Sequence, residues 1–421
     1  MGHDIITFTI LLSCVIFKVW SWEKWIKLFC INMDICGYTG TADPQTLSRI
    51  KRGIYVKVLQ VGLGNVGGGL EAFVMNYYRE LSGMDVQFDF ICMYGKIAYE
   101  QEIKMLGGNI YYIPNVKKNY PGYVKRFKKI LKEGNYDVVH VNMLSAANIV
   151  PLRLAHEAGV RKVIAHSHNS SCPGLIRKVM NWRNRSRIKN YATDLFACAD
   201  VAGRWLFGDE TYDRGEVVIV HNAISVDRYL FSGECRTAVR NEFGWGDRFV
   251  VGHVGRFAAQ KNHDGILDIF KEVLKKKPDA VLALVGSRGD QYDHIVERVR
   301  NEGLEDQVYF LGKRTDIGAF LSAMDVFLFP SLYEGMPFAL VEAQANGLSC
   351  VIADTISEEA DMVPGQIRAF SLDISPEVWA EAVVETEGRP RAREQEIRKG
   401  IESGHFEIRE EAKRLKELYE E

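Results

Sequence analysis

The feature that most constrains the fold of this chain is its regular alternation of short β-rich runs with stretches of helical period. Seven predicted strands lie between residues 55 and 221, five more lie between 249 and 353, and helical patterns separate them. In residues 70–81, for example, apolar side chains recur at i, i+3, i+4, i+7 and i+8, which is the spacing of one helix face. Runs such as VLALVG and VFLFPS are apolar on both faces, as is typical of central parallel strands. The chain is therefore predicted to be α/β, with two doubly wound Rossmann-like domains facing a cleft.

The length of 421 residues exceeds what one hydrophobic core normally serves, in agreement with two domains. We predict a Rossmann-like N-terminal domain over residues 54–230 and a Rossmann-like C-terminal domain over residues 231–400. Residues 401–421 are predicted to form a C-terminal helix, from about Glu407, that packs back toward the N-terminal domain. Residues 1–53 are predicted to be an N-terminal extension, apolar at first and then irregular.

The N-terminus and the composition indicate the compartment. Residues 5–17 are uncharged and largely apolar, but they are too few to span a membrane, and Asp4 stands where a signal peptide carries basic residues. The net charge of −2 argues against a general nucleic-acid binder. The eight cysteines form no CxxC pair, which favours reduced thiols without a zinc site. We therefore expect a cytoplasmic protein.

A glycine-rich run, GLGNVG at residues 62–67, follows the first predicted strand and matches the dinucleotide fingerprint G-x-G-x-x-G. An NAD-dependent oxidoreductase is therefore one alternative function. The run continues as GGLE, however, so the helix begins after the third fingerprint glycine, and an acid for the ribose is available only as Asp85 or Asp89. A glycine loop lets the backbone approach a bound ligand closely, whichever ligand that is.

Two cations follow the first strand of the second series. Arg256 lies between Gly255 and Phe257 at the end of that strand, and Lys261 comes five residues later. Arginine binds a diphosphate in bidentate fashion and lysine acts as a point charge. The pair is therefore suited to the diphosphate of a nucleotide, although by itself it is equally consistent with surface charges at a solvated strand end.

The segment FPSLYEGMPFALVEA, residues 329–343, is more specific. A strand ends at its start, a loop carries Glu334, and Pro337 suits the first turn of a helix that contains Glu342. Eight helical residues span at most about 12 Å, roughly the separation of a sugar and a ribose across a diphosphate. Amides at the helix start would meet the phosphates. Glu342 lies in an apolar sequence context and would need partners such as ribose hydroxyls.

Together these motifs resemble the family 4 glycosyltransferases of the GT-B fold, and in particular the bacterial enzymes of capsule and exopolysaccharide synthesis. The resemblance rests on GRFAAQKN at 255–262 and on the two glutamates eight residues apart. It is extended by GGGLE at 67–71, VIVHNAISVDRY at 218–229, LVGSRGD at 284–290 and FLGKRTDI at 310–317. It covers nearly everything from residue 56 onward.

The resemblance implies a retaining enzyme that moves a hexose-type sugar from a nucleotide diphosphate-sugar, with a UDP-sugar favoured, to a glycan or lipid-pyrophosphate acceptor. It implies no cofactor and no divalent metal, because cations and helix amides stabilise the leaving group. Arg256, Lys261 and Glu334 would act at the reacting centre, Glu342 would bind the ribose, and residues 313–315 would touch the base. The other implied donor contacts are Gly255, Arg314, Gly335, Met336, Pro337, Phe338, Ala339 and Leu340. The implied contacts on the acceptor and sugar side are Gly68, Gly69, Glu71, Asn142 and His168.

The chain departs from the family pattern at one position. The family often places a histidine in the loop after the strand that corresponds to residues 137–141, where it contacts the donor sugar. Here Asn142 takes that position, and His140 is predicted to point into the core of the sheet. Because asparagine cannot act as a base, a catalytically silent GT-B partner subunit is a second alternative.

Two basic stretches lie in the N-terminal half. Residues 117–132 contain seven Lys or Arg and no acids, and residues 175–190 contain six and none. Each run alone is equally consistent with a solvated helix face. Against a net charge near zero, however, the asymmetry favours peripheral contact with the inner face of an anionic membrane or with a lipid-pyrophosphate acceptor. No nucleic-acid partner is expected.

Overall fold

The structure, a computed structural model, describes residues 56–172 and 174–421, which belong to one compact unit, Tyr55–Glu421. The predicted N-terminal extension lies outside the described residues. Two parallel sheets with flanking helices confirm the predicted fold class of two Rossmann-like α/β domains. Residues predicted to be apolar on both faces, such as those of VLALVG, are indeed buried along the whole strand.

The first sheet has the strand order β3-β2-β1-β4-β5-β6-β7, and its neighbouring strands are parallel. Its strands are β1 (Val56–Val61), β2 (Val86–Cys92), β3 (Ile110–Tyr112), β4 (Val138–Met143), β5 (Lys162–Ser167), β6 (Asp194–Ala197) and β7 (Val217–Ile219). Its helices are α1 (Gly69–Leu81), α2 (Glu100–Met105), α3 (Tyr120–Gly134), α4 (Val150–Glu157), α5 (Leu175–Arg185), α6 (Asp200–Phe207) and α7 (Asp209–Asp213). The order reverses between β1 and β4, so the ligand crevice of this sheet is expected at their carboxyl ends.

The second sheet has the order β10-β9-β8-β11-β12-β13 and is also parallel. Its strands are β8 (Val250–Val254), β9 (Val281–Val285), β10 (Val308–Gly312), β11 (Val326–Phe329), β12 (Cys350–Ala353) and β13 (Ile367–Phe370). The helices of this half are α8 (Gly233–Glu242), α9 (His263–Lys276), α10 (Tyr292–Asn301), α11 (Ile317–Ala323), α12 (Phe338–Ala345), α13 (Pro376–Val384), α14 (Glu394–Ser403) and α15 (Ile408–Glu420). Here the order reverses between β8 and β11, which carry the predicted cations and glutamates at their carboxyl ends.

Strand β13 was not predicted, since the last of the five predicted strands of this half ended at residue 353. Its four residues are only partly buried, so they lack the continuous apolar run that marks a central strand. The strand forms because its backbone extends the sheet at an edge, pairing in parallel with β12 from Cys350↔Ile367 to Ala353↔Phe370.

The last helix returns to the first half of the molecule. Helix α15 packs against α1, and the Tyr419 side chain of α15 is completely buried. The amide of Ile224 donates to the carbonyl of Phe406 at 2.8 Å, and the amide of Ile408 donates to the carbonyl of Ile224 at 3.0 Å. The C-terminal residues therefore complete the hydrophobic core around the first sheet.

Candidate active site

Loops from the carboxyl ends of the two sheets meet in one cleft. The hydroxyl of Ser170, just after β5, donates to the carbonyl of Glu334, just after β11, at 2.7 Å. The side-chain amide of Asn222 donates to the carbonyl of Met336. The loop that carries Glu334 is thus held against the first half of the chain by polar contacts from two separate segments.

Lys261 and Glu334 are in direct contact. Their Nζ and Oε1 atoms are 2.7 Å apart, and the side chains are only 17% and 8% exposed. The Lys261 Nζ also lies 4.5 Å from the centre of the Phe329 ring. Asn262 holds the loop in place with a left-handed backbone (φ 53°) and a 3.1 Å hydrogen bond from Nδ2 to the carbonyl of Pro330. The structure therefore brings together two of the predicted reacting-centre residues.

Arg256 follows β8 with an exposed side chain, and two glycines make room for its loop. A Cβ on Gly286 would lie 1.8 Å from the carbonyl oxygen of Gly255, and a Cβ on Gly289 would lie 2.0 Å from that of Phe257. Both glycines belong to the LVGSRGD run, whose individual residues had no predicted role. Their missing side chains let the Arg256 segment after β8 lie directly against the loop that follows β9.

The predicted donor loop leads directly into α12. Pro337 is the N-cap of this helix rather than a residue of its first turn, and the helix begins at Phe338. Gly335 lies close to the first half of the chain, because a Cβ there would make a tight contact of 3.3 Å with the carbonyl oxygen of His168. The Phe338 ring lies 4.0 Å from the Cβ position of Gly69, so the glycine loop faces the donor loop. The loop and the first turn contain the predicted donor contacts Gly335, Met336, Pro337, Phe338, Ala339 and Leu340.

Glu342 lies one turn inside α12 and is only partly exposed. Its Oε1 accepts a hydrogen bond of 2.9 Å from the hydroxyl of Tyr229. Desolvation raises the pKa of Glu342 to about 7, and the hydrogen bond from Tyr229 opposes the shift. The sequence had placed Tyr229 in a family motif without a role. A carboxyl group with this pKa would be stabilised as the anion by further hydroxyl donors, such as those of a ribose.

The Glu71 side chain points back into the glycine loop that precedes it. Its two carboxylate oxygens accept hydrogen bonds from the backbone amides of Gly64 at 2.8 Å and Gly68 at 2.9 Å. The first amides of a helix need acceptors, and Glu71, in the first turn of α1, supplies them. The structure therefore gives Glu71 a role in holding the glycine loop. Of the predicted contacts, Gly69 faces Phe338 at the start of α12, and Gly68 is the N-cap of α1.

Asn142 does not lie in a loop, which corrects the predicted position. Strand β4 continues to Met143, because Asn142 and Met143 still pair with His166 and Ser167 of β5. The Asn142 side chain donates to Oε1 of Gln60 at 2.9 Å and accepts from Nε2 of His168 at 2.9 Å. Its amide is thus engaged within the protein.

His140 is completely buried, as predicted. His168 follows β5 at the cleft, and it is partly exposed. Desolvation lowers the pKa of His168 to about 3, so this histidine is neutral at physiological pH.

Lys313, rather than Arg314, reaches the glycine loop. The Arg314 guanidinium pairs with the carboxylate of Asp316 at 2.8 Å. In contrast, the Lys313 Nζ lies 2.9 Å from the position that a Cβ on Gly67 would occupy, and 5.7 Å from the centre of the Tyr99 ring. Within residues 313–315, which were predicted to contact the base, the side chain that lies at the cleft is that of Lys313.

Across residues 56–172 and 174–421, no group of three or more His, Cys, Asp or Glu side chains is arranged to hold a metal ion. The charged groups described at the cleft are instead two lysines, one arginine and two glutamates, drawn from β8, β10, β11 and the elements that follow them.

Two family models match the two halves of the chain. Residues 67–228 match the model described as Glycosyltransferase Family 4, and residues 236–402 match the model described as Glycosyl transferases group 1. Each match includes one of the two loops that form the cleft.

Several bacterial relatives match over most of the chain. EpsF of Bacillus subtilis (strain 168), named as a glycosyltransferase, is 35% identical over 348 residues, which cover 80% of this chain and 89% of EpsF. The capsular polysaccharide biosynthesis glycosyltransferase CapH of Staphylococcus aureus is 26% identical, with 86% of this chain and 98% of CapH covered. An Escherichia coli enzyme named UDP-Gal:alpha-D-GlcNAc-diphosphoundecaprenol alpha-1,3-galactosyltransferase is 28% identical, with 59% of this chain and 65% of the enzyme covered.

Among solved structures, Anabaena Alr3699/HepE in complex with UDP and glucose superposes with a TM-score of 0.70. The match is 17% identical in sequence and covers 86% of this chain and 99% of the Anabaena chain. At this identity the likeness concerns the fold.

Proposed function

Since the chain belongs to the glycosyltransferases of family 4 and group 1, we propose that it moves a hexose-type sugar from a UDP-sugar to a glycan or lipid-linked acceptor in exopolysaccharide or capsule synthesis. The observation that carries the proposal is the cleft at the carboxyl end of the second sheet. There the Lys261–Glu334 pair and Arg256 lie after neighbouring strands, and Phe338 at the start of α12 faces the glycine loop of the other sheet. Cations and helix amides in one place are suited to a diphosphate.

The relatives support the proposed donor and acceptor. The Anabaena structure contains UDP and glucose, and the Escherichia coli relative is named for a UDP-sugar donor and a diphosphoundecaprenol-linked acceptor. In the proposed reaction the donor diphosphate lies at Arg256 and Lys261, its sugar at Glu334 and its ribose at Glu342. Transfer is proposed to retain the anomeric configuration, with an oxygen of the leaving diphosphate taking the acceptor proton, so that no protein base is required.

The oxidoreductase alternative is disfavoured by the glycine loop itself. In a dinucleotide site, the amides of this loop and of the following helix start bind a pyrophosphate. Here the amides of Gly64 and Gly68 are already bound by the Glu71 carboxylate. A pyrophosphate at the same place would also meet that negative charge. Binding of labelled NAD in preference to UDP-sugars would reverse this conclusion.

Direct assay tests the proposal. We expect a thermal-shift screen to show stabilisation by one UDP-sugar, because a ligand that binds the native state raises its stability. We expect the same donor to support transfer to a lipid-pyrophosphate acceptor. If a donor binds but is neither transferred nor hydrolysed, the catalytically silent alternative is correct. If no nucleotide-sugar binds, the proposed site is wrong.

Activity is expected to survive excess chelator. The proposed mechanism stabilises the leaving diphosphate with Arg256, Lys261 and helix amides, so it assigns no step to a divalent ion. Turnover measured after dialysis against EDTA should equal that of the untreated enzyme. Loss of turnover on chelation, with recovery on addition of Mn²⁺, would contradict the proposed mechanism.

The donor KM is expected to depend on pH through Glu342. Because burial raises the pKa of this carboxyl to about 7, it is protonated below that pH and then accepts ribose hydroxyls more weakly. The KM should therefore rise as pH falls below about 7. Glu342→Gln should raise KM about tenfold, since a hydrogen bond to a charged group contributes roughly 1.5–3 kcal/mol, and should abolish the pH dependence. The kcat should change less than KM, because the ribose does not react.

Tyr229→Phe is the matched control for Glu342. It removes the hydroxyl that stabilises the Glu342 anion and leaves the carboxyl in place. The midpoint of the KM profile should then move to higher pH. Steady-state kinetics of the three proteins from about pH 5.5 to about pH 8.5, which brackets the expected midpoint, measure this. A flat profile in the wild type would remove the assigned role of Glu342.

Helix α5 supports contact with a membrane surface, because it presents an apolar face to solvent. The exposed apolar side chains of this helix are Leu175, Ile176, Val179, Met180 and Trp182. On a helical wheel they fall within an arc of about 160°. On the other side of the helix Asn181 is buried, and its Oδ1 accepts the amide of Ala146 at 2.7 Å. The apolar face therefore points away from the protein.

The charges of α5 fit the same interpretation. In α3, Lys128 pairs with Glu157 at 3.0 Å and Lys129 with Glu133 at 3.6 Å. The cations of α5 form no ion pair among the residues that the structure describes; they are Arg177, Lys178, Arg183 and Arg185. A short helix that combines exposed apolar residues with unpaired cations is suited to the interface of an anionic bilayer. In the described part of the chain, no helix is long and apolar enough to cross a membrane.

A further inference from the structure

The C-terminal helix carries a tyrosine hydroxyl into the interior of the first sheet. Tyr419 is completely buried, and its hydroxyl lies 2.7 Å from Nδ1 of His140. The backbone around Tyr419 is hydrogen-bonded to Lys162 of β5 and to Arg161, the residue before this strand. The Arg161 guanidinium donates to the carbonyl of Tyr419 at 2.7 Å, and the Lys162 ammonium donates to the carbonyl of Leu418. These contacts therefore hold the Tyr419 hydroxyl in one position.

A first branch runs from this hydroxyl through two histidines. The Nε2 of His140 and the Nδ1 of His166 are 2.9 Å apart. The His166 ring in turn lies against the His168 ring, with 4.0 Å between their centres. Burial lowers the pKa of all three rings, that of His140 to about 3, so the branch is uncharged.

A second branch runs through two amides and ends at the same ring. Gln60 donates from Nε2 to the Tyr419 hydroxyl oxygen at 3.5 Å and accepts at Oε1 from Nδ2 of Asn142. Asn142 also donates to the carbonyl of Val61 at 3.3 Å. Its Oδ1 must therefore be the acceptor for His168, which places the His168 proton on Nε2. The lone pair of His168 is left on Nδ1, which has no hydrogen-bond partner among the residues described here.

His168 lies where the two sheets meet. Its carbonyl oxygen is 3.3 Å from the Cβ position of Gly335, and two residues later Ser170 donates to the carbonyl of Glu334. A change in the orientation of His168 would therefore act next to the residue assigned to the donor sugar. The sequence alone does not indicate that Tyr419 lies near His168, because the two residues are 251 positions apart.

We propose that Tyr419 is a positioning residue for sugar transfer: its hydroxyl, acting through both branches, fixes the ring plane and tautomer of His168, whose Nδ1 accepts a hydrogen bond from a sugar hydroxyl in the cleft. The proposal rests on the proposed function of the cleft. It gives the C-terminal helix an indirect role in the geometry of the cleft.

Tyr419→Phe tests the proposal, because it removes the hydroxyl and keeps the buried ring. We expect kcat to fall about tenfold, since small displacements of a positioned group are costly for rate, while the donor KM stays within about twofold. The effect should be non-additive with His168→Ala: the double variant should be no slower than His168→Ala alone. Multiplying effects, or a wild-type kcat in Tyr419→Phe, would overturn the proposal.

Tyr78→Phe is the matched control, since Tyr78 is also buried and loses a hydrogen bond to the carbonyl of Leu106. It should keep the wild-type kcat. A readout independent of activity is the ¹⁵N chemical shift of the His168 ring, which should report Nε2–H in the wild type and a tautomer mixture in Tyr419→Phe. Unchanged His168 shifts would also overturn the proposal. Absence of transfer by the wild type with any UDP-sugar would instead count against the proposed function.

Discussion

Replacing Arg256 by alanine is expected to lower kcat about 10²-fold or more, by analogy with the removal of one oxyanion-hole donor. Negative charge appears on the diphosphate as the glycosidic bond breaks, so a cation there stabilises the transition state more than the bound donor. The donor KM should accordingly change much less than kcat. The Arg256 side chain is exposed, so the variant should fold normally. Steady-state kinetics, with circular dichroism as the folding control, measure the effect.

Lys261→Ala is expected to have a similar effect on kcat but needs a second variant for its interpretation. Removing Lys261 leaves the nearly buried Glu334 carboxylate without its partner, and breaking a buried pair costs about 3–5 kcal/mol of stability. The double variant Lys261→Ala, Glu334→Gln removes that charge and should recover stability without recovering kcat. Arg256→Lys, which keeps the charge but loses bidentate geometry, should lie between wild type and Arg256→Ala. Wild-type kcat in folded Arg256→Ala and Lys261→Ala proteins would show that the assigned site is wrong.

Replacing Leu175, Ile176 and Trp182 by serine is expected to weaken binding to anionic vesicles by at least about 10³-fold. These side chains are 72–79% exposed, and burying one large apolar side chain contributes about 1.5–3 kcal/mol. Three such losses amount to at least about 4.5 kcal/mol, which corresponds to roughly three factors of ten in binding. Co-sedimentation with phosphatidylglycerol-containing liposomes measures the change. The melting temperature should not fall, because the replaced side chains cover no core.

The matched control for α5 is the basic helix α3. Replacing Lys125, Arg126, Lys128 and Lys129 by serine removes charges that contribute on the order of 1 kcal/mol each near a membrane, and two of them are already paired with glutamates. Binding should weaken less than in the α5 variant and should depend on salt. If neither variant changes sedimentation, the basic stretches are solvated helix faces. If only the α3 variant changes sedimentation, charge alone mediates the contact with the membrane.

Local patterns were sufficient to predict the fold and the strand ends that the candidate residues follow. Strands such as β9 and β11 are buried on both faces, and a run of apolar residues of strand length signals such burial without reference to any other part of the chain. Parallel strands bring their carboxyl ends to one edge, where the switch point forms the crevice. The positions of Arg256, Lys261 and Glu334 could therefore be predicted from where they follow strands.

The solvent exposure of the apolar face of α5 could not be predicted from the sequence. The basic stretch at 175–190 stands out in the sequence by its charge, whereas an apolar stripe at helical spacing is consistent with either a buried or an exposed helix face. The structure leaves that face uncovered, because the helix contacts the protein through Asn181 and Asn184 instead. Whether an apolar stripe is core or surface depends on which element packs over it.

The sequence by itself thus determined the two parallel sheets, all of their strands except the edge strand β13, and the loops that follow those strands. Only the tertiary structure decided the partners of individual side chains. The Glu71 carboxylate binds backbone amides of its own glycine loop, and Asn142 lies in β4 and bonds to Gln60. Lys313, not Arg314, lies near the glycine loop, and the Tyr419 hydroxyl contacts His140, which is 279 positions away in the sequence. The physical reason is that backbone periodicity is set by neighbours a few residues away. Hydrogen-bond partners, in contrast, are set by register and packing between distant segments, where a shift of one residue sends a side chain to the opposite face.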